Sequence, residues 1–148
     1  MIKTKIISTI VILILVFSST ELKAQEPDPA TMNQGSDSLV ILWTSDDPML
    51  AERMVLMYTY THAAKTAGWF DHVTLIIWGP SAQLTAENVE IQEKLSVMQE
   101  DGVVIEACVA CANAYGVTSE LKALGFDVKG MGKHLTDYLK SGKKLMTF

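Results

Sequence analysis

Apolar positions along this chain fall into short continuous runs, separated by stretches with helical spacing, and the alternation repeats about five times. Leu39 to Ser45 (LVILWTS) is one such run and predicts a strand covered on both faces. Asp47 and Pro48 then supply an N-cap and a first helical residue. The spacing predicts a helix to about Ala67, with Leu50, Met54, Met57, Thr61 and Ala64 on one stripe and Gly68 as its stop. Met49, Val55, Leu56, Tyr58 and Tyr60 widen that stripe, so this helix is expected to be buried on most sides or to meet another subunit. His72 to Gly79 (HVTLIIWG) predicts a second buried strand, followed by a helix from about Thr85 to Glu100. Leu84, Asn88, Ile91, Leu95 and Met98 hold its helical spacing, and its outer face is acidic. Val103 to Ala107 predicts a third strand running into Cys108, then a short helix over Cys111 to Tyr115 stopped by Gly116. Thr118 is placed to cap a helix over Ser119 to Leu124, Phe126 to Met131 contains a short fourth strand, Gly132 to Ser141 is helical and Lys144 to Phe148 is a last strand.

This alternation implies a single three-layer α/β/α domain over residues 38–148, with about five mainly parallel strands and helices on both faces. Ligands of such sheets collect beyond the carboxyl ends of the strands. The segments expected there are Thr44 to Pro48, Trp78 to Ser81, Cys108 to Cys111 and Gly130 to His134.

The N-terminus changes the charge and the expected compartment. Lys3 and Lys5 precede an apolar run from Ile6 to Phe17, and a polar stretch leads to Ala24-Gln25. That layout is expected to be a secretory signal peptide over residues 1–24, too short in its apolar part to span a membrane and leaving no stable anchor after cleavage. Residues 25–37, rich in Pro, Asp, Gln and Asn, read as a flexible leader. Removing Lys3, Lys5, Lys23 and Glu21 with the signal leaves 9 basic and 16 acidic residues, a net charge of −7. An acidic domain without a basic stripe excludes nucleic acid as the expected partner. Export, to a periplasm, places the cysteines where disulfides persist.

The two cysteines form a C-x-x-C, Cys108-Val109-Ala110-Cys111, at the carboxyl edge of the third strand. A thiol between a strand and a helix meets backbone N–H groups and a helix dipole that favour thiolate. Glu106, two residues earlier, shares its strand face and opposes a second negative charge. Lys133 and His134 are the expected sources of compensating cation. A single C-x-x-C closes too small a loop to act as a useful staple. Four readings remain open on the residues alone. Ala107, Ala110, Ala112 and Ala114 also suit inert, packed cysteines. A metal site lacks ligands, because His62, His72 and His134 form no paired motif, so no metal and no cofactor is expected. A dithiol oxidoreductase or redox sensor competes, but Pro27, Pro29, Pro48 and Pro80 all precede the motif, so no cis-proline segment follows it. The fourth is a sulfur-handling thiol with a neighbour.

The segment VIEACVACANAYGV (Val104 to Val117) resembles the cysteine segment of the DsrE/DsrF-like family of sulfur-relay proteins, in which a hydrophobic strand leads to a Cys and a Gly-Val follows about eight residues on. VKGMGKHLTDYLKSGKKLMTF (Val128 to Phe148) is similar to the family's closing helix, turn and strand. The resemblance implies a flavodoxin-like α/β/α fold, assembly into homo-trimers or hexamers, and Cys108 as a sulfur acceptor that passes persulfide sulfur to a partner protein or a small sulfur species. Cys111 stands where many members carry a small residue, and would resolve a Cys108 persulfide to a disulfide. Asp46, Trp78, Gly79, Met131 and His134 are expected to line the pocket. A non-catalytic oligomeric binding module is the remaining alternative.

Overall fold

The computed structural model describes residues 37–51 and 60–148. The expected signal segment, nearly all of the leader, and Met54, Val55, Leu56, Met57 and Tyr58 of the apolar stripe lie outside them. Strands β1 (Ser38–Trp43), β2 (His72–Ile77), β3 (Val104–Cys108), β4 (Asp127–Lys129) and β5 (Lys144–Thr147) form one five-stranded sheet in the order β4-β3-β2-β1-β5. Every pairing is parallel, as the alternation of elements required. Helices α1 (Pro48–Leu50) and α2 (Thr61–Thr66) lie between β1 and β2. α3 (Ser81–Glu87) and α4 (Val89–Glu100) join β2 to β3, α5 (Val109–Tyr115) and α6 (Thr118–Ala123) join β3 to β4, and α7 (Met131–Lys140) joins β4 to β5. None of these helices is long and apolar enough to cross a membrane.

Residue parity divides the core into two. Leu39, Ile41 and Trp43 of β1, Val73, Leu75 and Ile77 of β2, and Ile105 and Ala107 of β3 pack with Ala64, Ala82, Ile91, Leu95, Met98, Ala112 and Leu121 from α2 to α6. The alternate residues Val40, Ile76 and Cys108 pack beneath α7, against Met131, Leu135 and Tyr138. One ten-residue helix is thus the described cover of the second sheet face. Cys111 touches both clusters, at the edge where the two layers meet.

Local chemistry moved three helix boundaries. The helix expected from Thr85 begins instead at Ser81 and breaks at Asn88, whose backbone is extended and whose Oδ1 accepts the Ile91 N–H at 3.1 Å. Asn is a strong N-cap, and here that preference overrides a continuous stripe. The Gln92 amide donates to the carbonyls of Thr85 and Ala86, satisfying the end of α3. Thr118 does not cap α6; Val117 holds that position, and the Thr118 hydroxyl donates to Asn113 Oδ1 at 2.7 Å. The helix after the cysteine edge starts at Val109, which brings Cys111 into its first turn. Asp47 does cap α1, accepting the Met49 N–H at 2.9 Å with Pro48 at the first position.

Candidate functional site at the carboxyl edge of the sheet

Cys108 ends β3 in extended conformation (φ −72°, ψ 111°) and is the N-cap residue of α5. It is 4% exposed, whereas Cys111 is half-buried, and both are free thiols. The expected capping of Cys108 by helical N–H groups is absent, because its side chain accepts no bond from α5. With its side chain on the α7 face of β3, the sulfur turns into the apolar cluster of Val40, Ile76 and Met131 rather than over the helix end. Cys111 follows three residues on, in the first turn of α5, and packs against the same cluster. Burial pushes the Cys111 thiol above the usual range, and the hydrogen bond and charge of Cys108 push it further, while the Gly79 N–H acts in the opposite sense. One backbone donor to that sulfur therefore comes from the β2–α3 turn, the other from Cys111 itself.

That turn is built to hold its position. Gly79 has φ +68°, a left-handed conformation in which a side chain would be strained. The Ser81 side chain, fully buried, donates to the Trp43 carbonyl at 2.7 Å and accepts the Trp78 N–H at 3.0 Å. Trp78 N–H also lies 2.9 Å from the Trp43 carbonyl. The ends of β1 and β2 are tied together at the point from which Gly79 faces Cys111.

Beneath α7, the second polar feature is Glu106, two residues before Cys108 on the same strand face and 3% exposed. Its Oε1 accepts from Lys129 Nζ at 2.7 Å and from the Tyr138 hydroxyl at 2.7 Å. Lys129 stands in register with Cys108 on β4, and its ammonium also binds Asp127 at 2.5 Å. Glu106 Oε2 is buried without a partner among the described residues. Burial pulls the Lys129 ammonium down, but its bonds to Asp127 and Glu106 outweigh that and the net direction is up. Burial, then the bond to Glu106, push Tyr138 up to about 12. A raised tyrosine pKa favours the folded state fully below the ordinary value near 10, and the benefit is lost as pH climbs toward about 12. Tyr138→Phe should therefore flatten the fall in the urea midpoint across that alkaline window, while costing about 1 kcal/mol at neutral pH. An equally steep alkaline decline in the variant would refute the assignment.

Of the residues expected around the pocket, Cys108, Cys111, Trp78 and Met131 share one cluster, and Gly79 joins through its N–H. Asp46 is exposed and lines a shallow depression of about 230 Å³ with Pro80, Gln83, Leu84 and Glu87, apart from both thiols. His134 lies on α7 one turn before Tyr138, and its ring enters no hydrogen bond or ion pair among the described residues. Lys133, an expected cation for the cysteine, instead pairs with Asp137 at 2.5 Å and is 81% exposed, because its place on α7 points it to solvent. Lys129 stands in register with Cys108, but its ammonium is held by Glu106 and Asp127. Sequence reading missed Lys129 and the bond from Tyr138 to Glu106, and had Ser81 only as the end of the Trp78 to Ser81 segment. The signal for the first was the alternation Asp127-Val128-Lys129, which puts both charges on one strand face. Among the described residues no group of three or more His, Cys, Asp or Glu is arranged to hold a metal ion.

Comparison with known proteins agrees with this architecture. No curated protein matches the chain. A solved structure of a conserved protein of unknown function from Bacteroides thetaiotaomicron superposes with a TM-score of 0.72 at 38% identity, covering 76% of this chain and 95% of that one. The family model of the DsrE/DsrF-like family matches residues 40–148, which hold the whole sheet from the second residue of β1's apolar run, the cysteine edge and α7. The chain belongs to the DsrE/DsrF-like family.

Proposed function

We propose that this protein is an exported sulfur carrier of the periplasm, in which Cys108 accepts a sulfane sulfur as a persulfide and passes it to a partner protein or a small sulfur species. The observation that carries the reading is the placement of Cys108 at the end of β3 and under α7, with Cys111 packed against the same cluster, in a chain of this family. Sulfur-relay chemistry needs a thiol sheltered from bulk oxidants yet reachable from an edge, and the half-buried Cys111 marks that edge. The second thiol gives the carrier a discharge route. Attack by the Cys111 sulfur on Cys108 Sγ forms the disulfide and expels hydrogen sulfide, with the two electrons of the S–S bond leaving on sulfide.

The same pair supports a second reading as a thiol–disulfide oxidoreductase or redox sensor, favoured by the packing of both free thiols against one cluster. Self-association into a trimer or hexamer belongs to the proposal as well, with the apolar residues of the sequence between Pro48 and Ala67 as its contact.

Incubation with polysulfide followed by mass spectrometry separates these readings. A one-sulfur mass gain should persist in Cys111→Ser and vanish in Cys108→Ser. Equal loading of both cysteines would overturn the assigned roles, and loss of all activity with either thiol missing would favour the oxidoreductase.

A further inference from the structure

We infer that Met131 is the gate over Cys108, selecting small, unbranched sulfur donors such as an inorganic hydropolysulfide over bulky ones such as a protein-bound persulfide. This rests on the reading of Cys108 as the sulfur acceptor. A thiol 4% exposed meets no donor until a neighbour moves aside. Among the described residues four side chains form the buried cluster at this place: Val40, Ile76, Cys108 and Met131. Val40 and Ile76 belong to β1 and β2, interior strands of the sheet, and both are fully buried. Met131 is the one member that a helix supplies, and it opens α7 two residues beyond Lys129, the register partner of Cys108.

The start of α7 is the least secured part of that helix. Gly130 at the N-cap supplies no side-chain bond, the first turn carries no acidic residue, and Lys133 places a cation where the helix dipole disfavours one. The Lys133–Asp137 pair that answers it is largely exposed and contributes little. The Thr136 hydroxyl donates to the Gly132 carbonyl, but that bond lies within the helix and fastens nothing to the sheet. The far end is tied down, because the Tyr138 hydroxyl donates to Glu106 and the Ser141 hydroxyl to the Tyr138 carbonyl. Glycines flank Met131 on both sides, yet neither is there for want of space. Gly130 has φ −71°, and a Cβ at Gly130 or Gly132 would meet nothing within 4 Å. What they supply is backbone freedom on either side of one unbranched, adaptable side chain. The β2–α3 turn, the other wall of the edge, is instead held by the buried Ser81 hydroxyl and the Trp43 carbonyl.

Two openings of different size follow. Rotation of the Met131 side chain uncovers the sulfur for a donor a few atoms wide, whereas a bulky donor needs the first turn to unwind as well. The small donor reacts without an added oxidant. Cys108 Sγ, as thiolate, attacks one sulfur of HS–SH. The new Sγ–S bond forms as the donor S–S bond breaks, and its electron pair leaves on hydrosulfide. The proton that the thiol gave to solvent ends there, so the products are Cys108–S–SH and hydrogen sulfide.

The test uses the full chain carrying Cys111→Ser and two reagents of one chemistry, iodoacetamide and its fluorescein conjugate. The ratio of their rates at Cys108, each divided by the rate with free cysteine, measures the selection and should favour the small reagent. Met131→Ala should speed the bulky reagent about tenfold and narrow the ratio, because opening no longer breaks the contacts of the longer side chain. Leu135→Ala, one turn on and packed against the same cluster, should destabilise the domain and leave the ratio unchanged. Gly130→Ala combined with Gly132→Ala, which no packing opposes, should slow the bulky reagent about fivefold by restricting the open backbone. That variant stays readable if Met131→Ala fails to fold. A parent ratio near one, an unchanged ratio in Met131→Ala, or an equal narrowing in Leu135→Ala or Trp78→Ala would overturn the gate. So would an unslowed double glycine variant, or rates that climb with urea as steeply as global unfolding. Alkylation needs no sulfur donor, so a chain that shows this selection yet never gains sulfur from polysulfide contradicts the carrier reading alone.

Discussion

Lys129→Met is expected to lower the free energy of unfolding by about 3 kcal/mol at neutral pH, and adding Glu106→Gln to it should recover more than half of that loss. The argument starts from burial. Glu106 has a side chain 4% exposed, in a face otherwise made of Val40, Ile76, Met131 and Leu135. A carboxylate in such a place is tolerated because an ammonium 2.7 Å away and a hydroxyl 2.7 Å away stabilise its charge. Removing one partner of a buried pair strands the other, at a typical cost of about 3–5 kcal/mol. The lower end applies here, because the Lys129 side chain keeps 23% exposure and Tyr138 remains as a donor. Neutralising the acid removes the stranded charge, and Gln still accepts from Tyr138. Urea denaturation at neutral pH reads both outcomes. A single-variant loss below about 1 kcal/mol would show that the pair behaves as an ordinary surface contact.

That pair also marks the limit of what the chain's pattern discloses. The five strands were legible because each is a short apolar run closed by polar or glycine residues, and parity alone placed Glu106 and Cys108 on one face. The ion pair was not, because its members are 23 residues apart and meet only through the β3–β4 register. The same holds for Ser81 and Trp43, joined across 38 residues where two strands end side by side. Sequence spacing reports which face a residue occupies; it does not report which strand lies next to it. Local rules failed where two of them competed. At Asn88 a capping preference met a helical stripe and won, and at Cys108 a thiol expected to cap α5 was drawn instead into the apolar layer under α7. The choice of Cys108 and Cys111 rested on position along the sheet and, for Cys108, on the family resemblance, and the structure brings both into one cluster. The choice of Asp46 rested on the same rule and failed to reach them, because the carboxyl edge is several residues wide and β1 and β3 are separated on it by β2.

Trp43 connects the core to that edge, and its replacement tests the connection. The residue is the largest fully buried side chain among the described residues, and its indole N–H has no partner among them. Trp43→Ala should cost about 3–5 kcal/mol, the transfer free energy of the lost ring plus the cavity left by incomplete collapse. Against a typical total of about 5–15 kcal/mol, that loss brings the domain close to its limit. Trp43→Phe removes the partnerless donor along with part of the volume. The unmet hydrogen bond was itself worth about 1–3 kcal/mol of destabilisation, so the two changes offset and the net cost should stay within about 1 kcal/mol. The carbonyl of the same residue accepts from Ser81 at 2.7 Å and from Trp78 N–H at 2.9 Å, and so fixes the turn whose Gly79 N–H faces Cys111. Relaxation around the cavity left by Trp43→Ala should therefore loosen that turn and raise the alkylation rate of Cys111, measured in a Cys108→Ser background under conditions where the variant is still folded. Trp43→Phe, which keeps a ring in the cavity, should leave that rate unchanged. If Trp43→Ala destabilised as expected but left Cys111 as slow as in the parent, the rigidity of the cysteine edge would have to come from α7 rather than from the β1–β2 tie.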